Sequence, residues 1–206
     1  MTFHSFAISM GWLAVASGIF GTSMQLRRVR TQGVEGVSLA TWVLFVYMGC
    51  FWITYGFVVG SAEVVLGSLL ILPMQLSILF RLAPWRRLAV PARALGYFTL
   101  CCVVPTMLWG WAGGVFGTGI AMTINRAPQL IELIRHDDAS GVSSASWYIG
   151  ALGATMWITF YVGADLWAAL TATAFAGVAN LSIASLATWR HTQFRRNMVA
   201  EEVFAA

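Results

Sequence analysis

GVSLATWVLFVYMGCFWITY (residues 36–55) and GVSSASWYIGALGATMWITF (residues 141–160) are one pattern written twice. At a constant offset of 105, Gly36, Val37, Ser38, Ala40, Trp42, Trp52, Ile53 and Thr54 match Gly141, Val142, Ser143, Ala145, Trp147, Trp157, Ile158 and Thr159. Internal duplication of an apolar chain is characteristic of membrane carriers built from repeats, whose sites lie between the copies.

Working outward, the 206 residues are 59% hydrophobic and 10% charged, with mean hydropathy +0.76. A soluble domain of this size carries about a quarter charged residues. The outside of this protein is therefore expected to face lipid. There is no lysine, and all twelve basic residues are arginine. A cleaved signal peptide is not expected, because MTFHSFAISM lacks a positive leading region. Cys50, Cys101 and Cys102 fall inside apolar runs and read as small buried hydrophobes, and no Cys/His spacing suits a metal.

A bilayer-spanning helix needs about 20 mostly apolar residues. Seven such spans read off the chain, at about 6–26, 40–60, 63–82, 94–112, 114–134, 145–163 and 166–188. Arg27, Arg28, Arg30, Arg81, Arg86, Arg87, Arg93, Arg135, Arg190, Arg195 and Arg196 all belong to one side of such an arrangement. The loops near Gly60–Glu63, Gly110–Gly114 and Gly163–Asp165 carry two acids and no arginine. The excess of arginine on cytoplasmic loops then puts the N-terminus outside and the C-terminus in the cytoplasm, in a plasma-membrane protein. The expected fold is all-α: seven transmembrane helices in two parallel three-helix repeats joined by a linker helix, 3+1+3. Its divisions are residues 1–84, the linker 85–112, the second repeat 113–190, and a short mobile tail 191–206.

Within each repeat a first helix ends in a Pro-Gln-type element: Ser23-Met24-Gln25-Leu26 in copy one, Ala127-Pro128-Gln129-Leu130 in copy two. A basic loop, Gly-Val-Ser and a Trp-bearing helix follow. These motifs resemble the PQ-loop (MtN3/saliva) superfamily, and within it the SWEET sugar transporters and their half-size SemiSWEET relatives. The resemblance covers essentially the whole chain, in the full-length seven-helix form. It implies a facilitative, alternating-access uniporter of a small neutral solute, a mono- or disaccharide first. Amino acids, which the superfamily also moves, or small carboxylates are the alternative, motivated by Arg126 and by the absence of the family's asparagines, and a non-transporting scaffold or receptor is a third.

The resemblance carries the sugar-facing tryptophans onto Trp52 and Trp157. The family's asparagine, sixteen residues later, falls on Ser68 and Thr173, which are themselves 105 apart. A hydroxyl can still donate and accept, but it reaches less far than an amide. Packing is the competing use of these four residues, since small hydroxyls sit between membrane helices and tryptophans line membrane interfaces. The interfacial use suits Trp12, Trp42, Trp111, Trp147 and Trp167. Pro128 lacks an N–H and is read as a hinge, which Met24 in copy one cannot be. Asn125 is a candidate pocket residue. Gly-Val-Ser reads as a turn ending in a Ser N-cap, and Gln75 and Asn180 as interhelical hydrogen-bonding groups.

Arg126 stands nine residues before Arg135, roughly 13 Å up the helix. An ionised arginine at that depth costs about 3 kcal/mol or more. Two uses are open. It snorkels to the cytoplasmic interface or pairs with Glu132, Asp137 or Asp138, or it serves as an inner gate or a contact to an anionic substrate. The other acids and the histidines His4, His136 and His191 lie near span ends, which disfavours proton coupling. Several classes fall away. No phosphate-binding loop, nucleophile–base cluster or cofactor motif is seen, so no enzyme, cofactor or nucleic-acid partner is expected. A retinal Schiff base needs a lysine. The expected partners are the lipid bilayer, a small-molecule substrate and, in some relatives, further copies of the chain.

Overall fold

The computed structural model describes residues 2–82, 89–136 and 139–205, with side chains described as far as Arg196. The described residues are helical throughout, with short connections and no strand. The helices are α1 (Phe3–Gln32), α2 (Leu39–Val59), α3 (Ala62–Leu69), α4 (Leu72–Leu82), α5 (Ala89–Phe98), α6 (Val104–Ile124), α7 (Ala127–Arg135), α8 (Ser144–Gly163) and α9 (Trp167–Ala205). Five stretches are long and apolar enough to cross a membrane: Phe3–Gln32, Leu39–Val59, Ala62–Leu82, Ala89–Arg135 and Trp167–Arg196. These are the features of a membrane protein. The α8 helix has 20 residues and no charge, but its serines, threonines and glycines hold its hydropathy down.

The 47-residue stretch Ala89–Arg135 is not one rod. A π-turn over Thr99–Val103 precedes Pro105, whose missing N–H breaks the helical ladder there. The chain then leaves helical geometry at Trp109 and at Gly110, which has φ 66° and ψ −165°. Only glycine occupies that backbone region readily. The helix beyond folds back so closely that a Cβ on Gly117 would fall onto the carbonyl of Cys101. Gly117→Val is therefore expected to lower the melting temperature by about 10 °C, from a main-chain clash of at least 3 kcal/mol. Thermal unfolding in detergent checks this, and an unchanged midpoint would contradict the close approach.

Two further interruptions occur where the sequence reads as continuous spans. The α3–α4 pair breaks at Leu70–Ile71, ahead of Pro73, and α6–α7 breaks at Asn125–Arg126, ahead of Pro128. In each case proline sits in the first turn of the following helix, where its lost N–H costs least. By contrast α1 runs unbroken past Met24, and α9 runs unbroken past Asn180.

The α3 helix lies between α1 and α2, and α9 lies between α6 and α8. The α1 helix packs on α8, α2 meets α6 and α7, and α5 lies against α2. Arg28 donates to the Ser140 carbonyl at 2.5 Å, and Arg190 donates to those of Leu133 and Ile134. These contacts gather the ends of α1 and α7, the start of α8 and the middle of α9 at one arginine-rich end. At the opposite end His4 of α1 meets the Gly163 carbonyl at 3.4 Å.

Some expectations need correcting. The stretch from residue 191 is not a loose tail: α9 continues as helix to Ala205, and His191 meets the Ala139 carbonyl at 2.9 Å. Cys102 is buried but Cys50 lies on an exposed helix face, because half of an apolar span must face outward. Trp42 and Trp147 are not interfacial. Trp42 and Trp147 are core residues, and Trp111 packs on Phe51 and Tyr55. Trp12 and Trp167 are exposed, as that reading requires. Arg86, Arg87, Asp137 and Asp138 lie outside the described residues.

Candidate functional site: a cavity between the two repeats

A cavity of about 220 Å³ sits between the copies. It is lined by Ser17 and Gly18 of α1, Trp52 of α2, Gly67 and Ser68 of α3, Trp157 and Tyr161 of α8, and Thr173 and Asn180 of α9. Met122 and Arg126 complete it, and α5 contributes nothing. Two smaller compartments share walls with it. One, of about 180 Å³, adds Phe45, Gln75 and Asn125; the other, of about 110 Å³, adds Thr22, Trp42 and Trp147. Among the described residues no Asp, Glu or His lines any of the three. A larger hollow of about 260 Å³ opens outward between α6 and α9, past exposed Phe116, Ile120 and Phe175. Its apolar, outward-facing walls suit a lipid chain.

The four paired positions Trp52, Trp157, Ser68 and Thr173 thus come together on one cavity, and Asn125 joins them through the adjoining compartment. The lining glycines explain how helices leave room for it. Both helix breaks also open here: Ile71, Asn125 and Arg126 all line the walls. Interrupted helices at mid-depth expose backbone and polar groups that a continuous helix would hide. Met24 lies outside the lining, and Pro128 lies just beyond Arg126.

Each end of the cavity is crossed by a pair of repeat-related tryptophans with one aromatic between them. Toward the opposite end, Tyr161 stacks on Trp157 at 5.5 Å and on Trp52 at 6.5 Å, both at 18°. Thr173 lines the same cavity wall as Tyr161. Phe51, Tyr55, Phe160 and Trp111 pack behind it. Toward the arginine-rich end, Phe45 touches Trp42 at 5.3 Å and Trp147 at 6.0 Å. The mate of Tyr161 at the repeat offset is Gly56, and the mate of Phe45 is Gly150. Each copy therefore supplies one bridging ring and leaves space for the other.

Arg126 is buried, 5% exposed, between these two layers. Its Nε donates to Asn180 Oδ1 at 2.5 Å, and its Nη1 donates to Asn125 Oδ1 at 3.1 Å and to the Met122 carbonyl. Its guanidinium carbon stands 5.4 Å from the Phe45 ring centre. It does not pair with Glu132, which binds His136 at 3.0 Å one helical turn on. The pairing expectation fails there because the helix break turns Arg126 inward. Asp137 and Asp138, the other partners considered, lie outside the described residues.

Beyond the cavity, the arginine-rich end is tied shut by two reciprocal clasps. Gln25 Nε2 donates to the Gly141 carbonyl at 2.9 Å, and the Ser143 N–H donates to Gln25 Oε1 at 2.8 Å. Gln129 does the same to the other copy, through the Gly36 carbonyl at 2.5 Å and the Ser38 N–H at 2.9 Å. Both glutamines are 1% exposed. A primary amide pairs with a carbonyl and N–H two residues apart because it offers one donor and one acceptor side by side. Ser38 and Ser143 also form the expected N-caps, accepting from the N–H groups of Thr41 and Ser146. The glutamines themselves escaped the reading as site residues, although their place beside Pro128 and Met24 was the available signal.

No match settles the kinship. Neither a family model, nor a curated protein, nor a solved structure matches the chain.

Proposed function

We propose that this protein is a facilitative, alternating-access transporter of the SWEET/PQ-loop kind for a small hydroxylated solute of monosaccharide size. The supporting observation is one cavity between two sequence copies, lined by the pairs Trp52/Trp157 and Ser68/Thr173. In this reading the helices form a 3+1+3 arrangement, with Ala89–Trp109 as linker and the reversal at Gly110 starting the second repeat. The arginine-rich end faces the cytoplasm, and the protein resides in the plasma membrane.

The geometry gives the cycle a physical form. A solute lies against indole faces, which match the apolar faces of a pyranose, while hydroxyls at Ser68 and Thr173 reach its edges. Withdrawal of Tyr161 opens one side. Loss of the glutamine clasps and withdrawal of Phe45 open the other. Both closures are made of hydrogen bonds and ring contacts, which break and reform without chemistry. Pro128 is the hinge of the second copy, and Pro73 gives the first copy a corresponding break on a different helix. With no acid among the described residues lining the cavity, the solute's own electrochemical gradient is the driving force, and transport is bidirectional.

Counterflow in proteoliposomes tests this. Vesicles loaded with unlabelled monosaccharide, amino acid or hydroxy acid are expected to accumulate trace label of at least one class transiently. A monodisperse protein that gives no counterflow with any of them is not a transporter of such solutes. A receptor or scaffold would then be the better description.

A further inference from the structure

We propose that the cavity is built around an anion: a small hydroxylated monocarboxylate whose carboxylate pairs with Arg126 and Asn125. The inference deepens the transport reading and uses the same cavity, but binding can be tested without transport.

All the hydrogen bonds that Arg126 makes among the described residues go to uncharged acceptors: Asn180 Oδ1, Asn125 Oδ1 and the Met122 carbonyl. A guanidinium carries five N–H donors and a full positive charge. The charge therefore lies in the wall of a buried cavity with no described carboxylate to balance it. Pairing by an anionic ligand would offset the cost of holding it there.

Asn125 is a second, independent indication. It is 0% exposed, its Oδ1 is engaged by Arg126, and its Nδ2 is buried without a partner. The bond to Arg126 orients the amide, so the orphan is a donor. It lines the same 180 Å³ compartment as Arg126. An unpaired buried donor is costly, and two donors side by side are the natural seat of a carboxylate. In that compartment the Oε1 of Gln75 is also buried without a partner, and it is an acceptor. It asks for a hydroxyl on the same ligand.

The remaining walls narrow the class. An α-amino acid brings an ammonium group, yet no described acid lines the cavity to receive it. A hydroxy acid leaves no such group unmatched, and its hydroxylated carbon chain can lie toward Trp52 and Trp157. One negative charge is indicated and not two. In the register that aligns Gln25 with Gln129, Asn125 and Arg126 fall on Gly21 and Thr22, so the charge is one-sided.

The test uses the full-length protein with ¹⁴C-gluconate and ¹⁴C-glucose, six-carbon solutes that differ in the carboxylate. In proteoliposomes, gluconate uptake is expected to carry charge. A potassium–valinomycin potential of about 59 mV, inside positive, should raise its steady-state accumulation about tenfold and leave glucose unchanged. Arg126→Gln should lower gluconate uptake at least tenfold, and Arg126→Lys, which keeps a point charge, should lower it less. In detergent, gluconate is expected to quench tryptophan fluorescence, and Arg126→Gln and Asn125→Leu should each weaken that binding. The second variant covers the case in which the first fails to fold.

Glucose transport with neither transport of gluconate nor competition by it would overturn the anion site and leave the transporter standing. Gluconate binding lost in Arg126→Gln, with no solute moved, would overturn transport and keep the site. Gluconate binding that ignores both substitutions would make Arg126 a packing residue and overturn the proposal.

Discussion

Replacing Gln25 and Gln129 together by leucine is expected to swing the protein toward a state open at its arginine-rich end. Leucine keeps much of the buried volume, so the change removes hydrogen bonds and little packing. Four main-chain groups lose their partners: the carbonyls of Gly36 and Gly141 and the N–H groups of Ser38 and Ser143. In the closed state both glutamines are 1% exposed, so little water can take their place. Each orphaned buried group costs roughly 1–3 kcal/mol, whereas opening the end would hydrate all four. A combined penalty of about 4 kcal/mol on the closed state shifts the open-to-closed ratio about a thousandfold. Thr22 lines the compartment just inside the clasps. In a background without native cysteines, Thr22→Cys should react far faster with a membrane-impermeant maleimide once both glutamines are gone. Equal labelling rates would remove the clasps from gating. Because the clasps cross between copies, either single substitution should give an intermediate rate.

Copying explains which parts of this architecture can be read from the chain. The Gly-Val-Ser turns and the two Trp positions recur at a fixed offset, and recurrence separates selected residues from apolar filler. Trp52 and Trp157 were therefore legible, Ser68 and Thr173 followed only from the family resemblance, and the four meet on one cavity. Residues that occur once carried no such signal. Tyr161 and Phe45 look like ordinary aromatics in apolar helices, and only their glycine mates, Gly56 and Gly150, mark them as ring bridges. The breaks at Leu70–Ile71 and Asn125–Arg126 were obscured for another reason. Hydropathy is averaged over a whole span, and Pro73 or Pro128 changes that average little while ending a helix. Distance along a helix suggests the interface for Trp42 and Trp147 because it carries no azimuth. Near the end of a span a tryptophan can face lipid or the partner copy, and Phe45 between the two shows which. Arg126 was legible as anomalous but not as to its neighbours, because its direction depends on the helix break one residue away.

Trp52→Ala combined with Trp157→Ala is expected to reduce transport about 100-fold in protein that remains monodisperse. The two rings are the largest apolar surfaces in the cavity wall, and each indole face removed from a bound solute is worth roughly 1–2 kcal/mol. Initial counterflow rates measure the loss, and near wild-type rates in the double variant would move the site elsewhere. The singles should differ. Trp157 stacks on Tyr161 at 5.5 Å and packs edge-on against Phe160 at 5.6 Å, whereas Trp52 meets Tyr161 at 6.5 Å. Removing Trp157 therefore also releases Tyr161, the ring that stacks on both indoles and closes that end. Trp157→Ala should weaken closure of the opposite end as well as binding, and Trp52→Ala should weaken binding alone. Thr173→Val separates the two effects. It removes a hydroxyl from the cavity wall that Tyr161 shares but leaves both indoles in place. If Tyr161 is the stopper at that end, Thr173→Val should speed the labelling of a cysteine at Ser17 from the opposite side. Gluconate should still quench tryptophan fluorescence in that variant, since both indole faces remain.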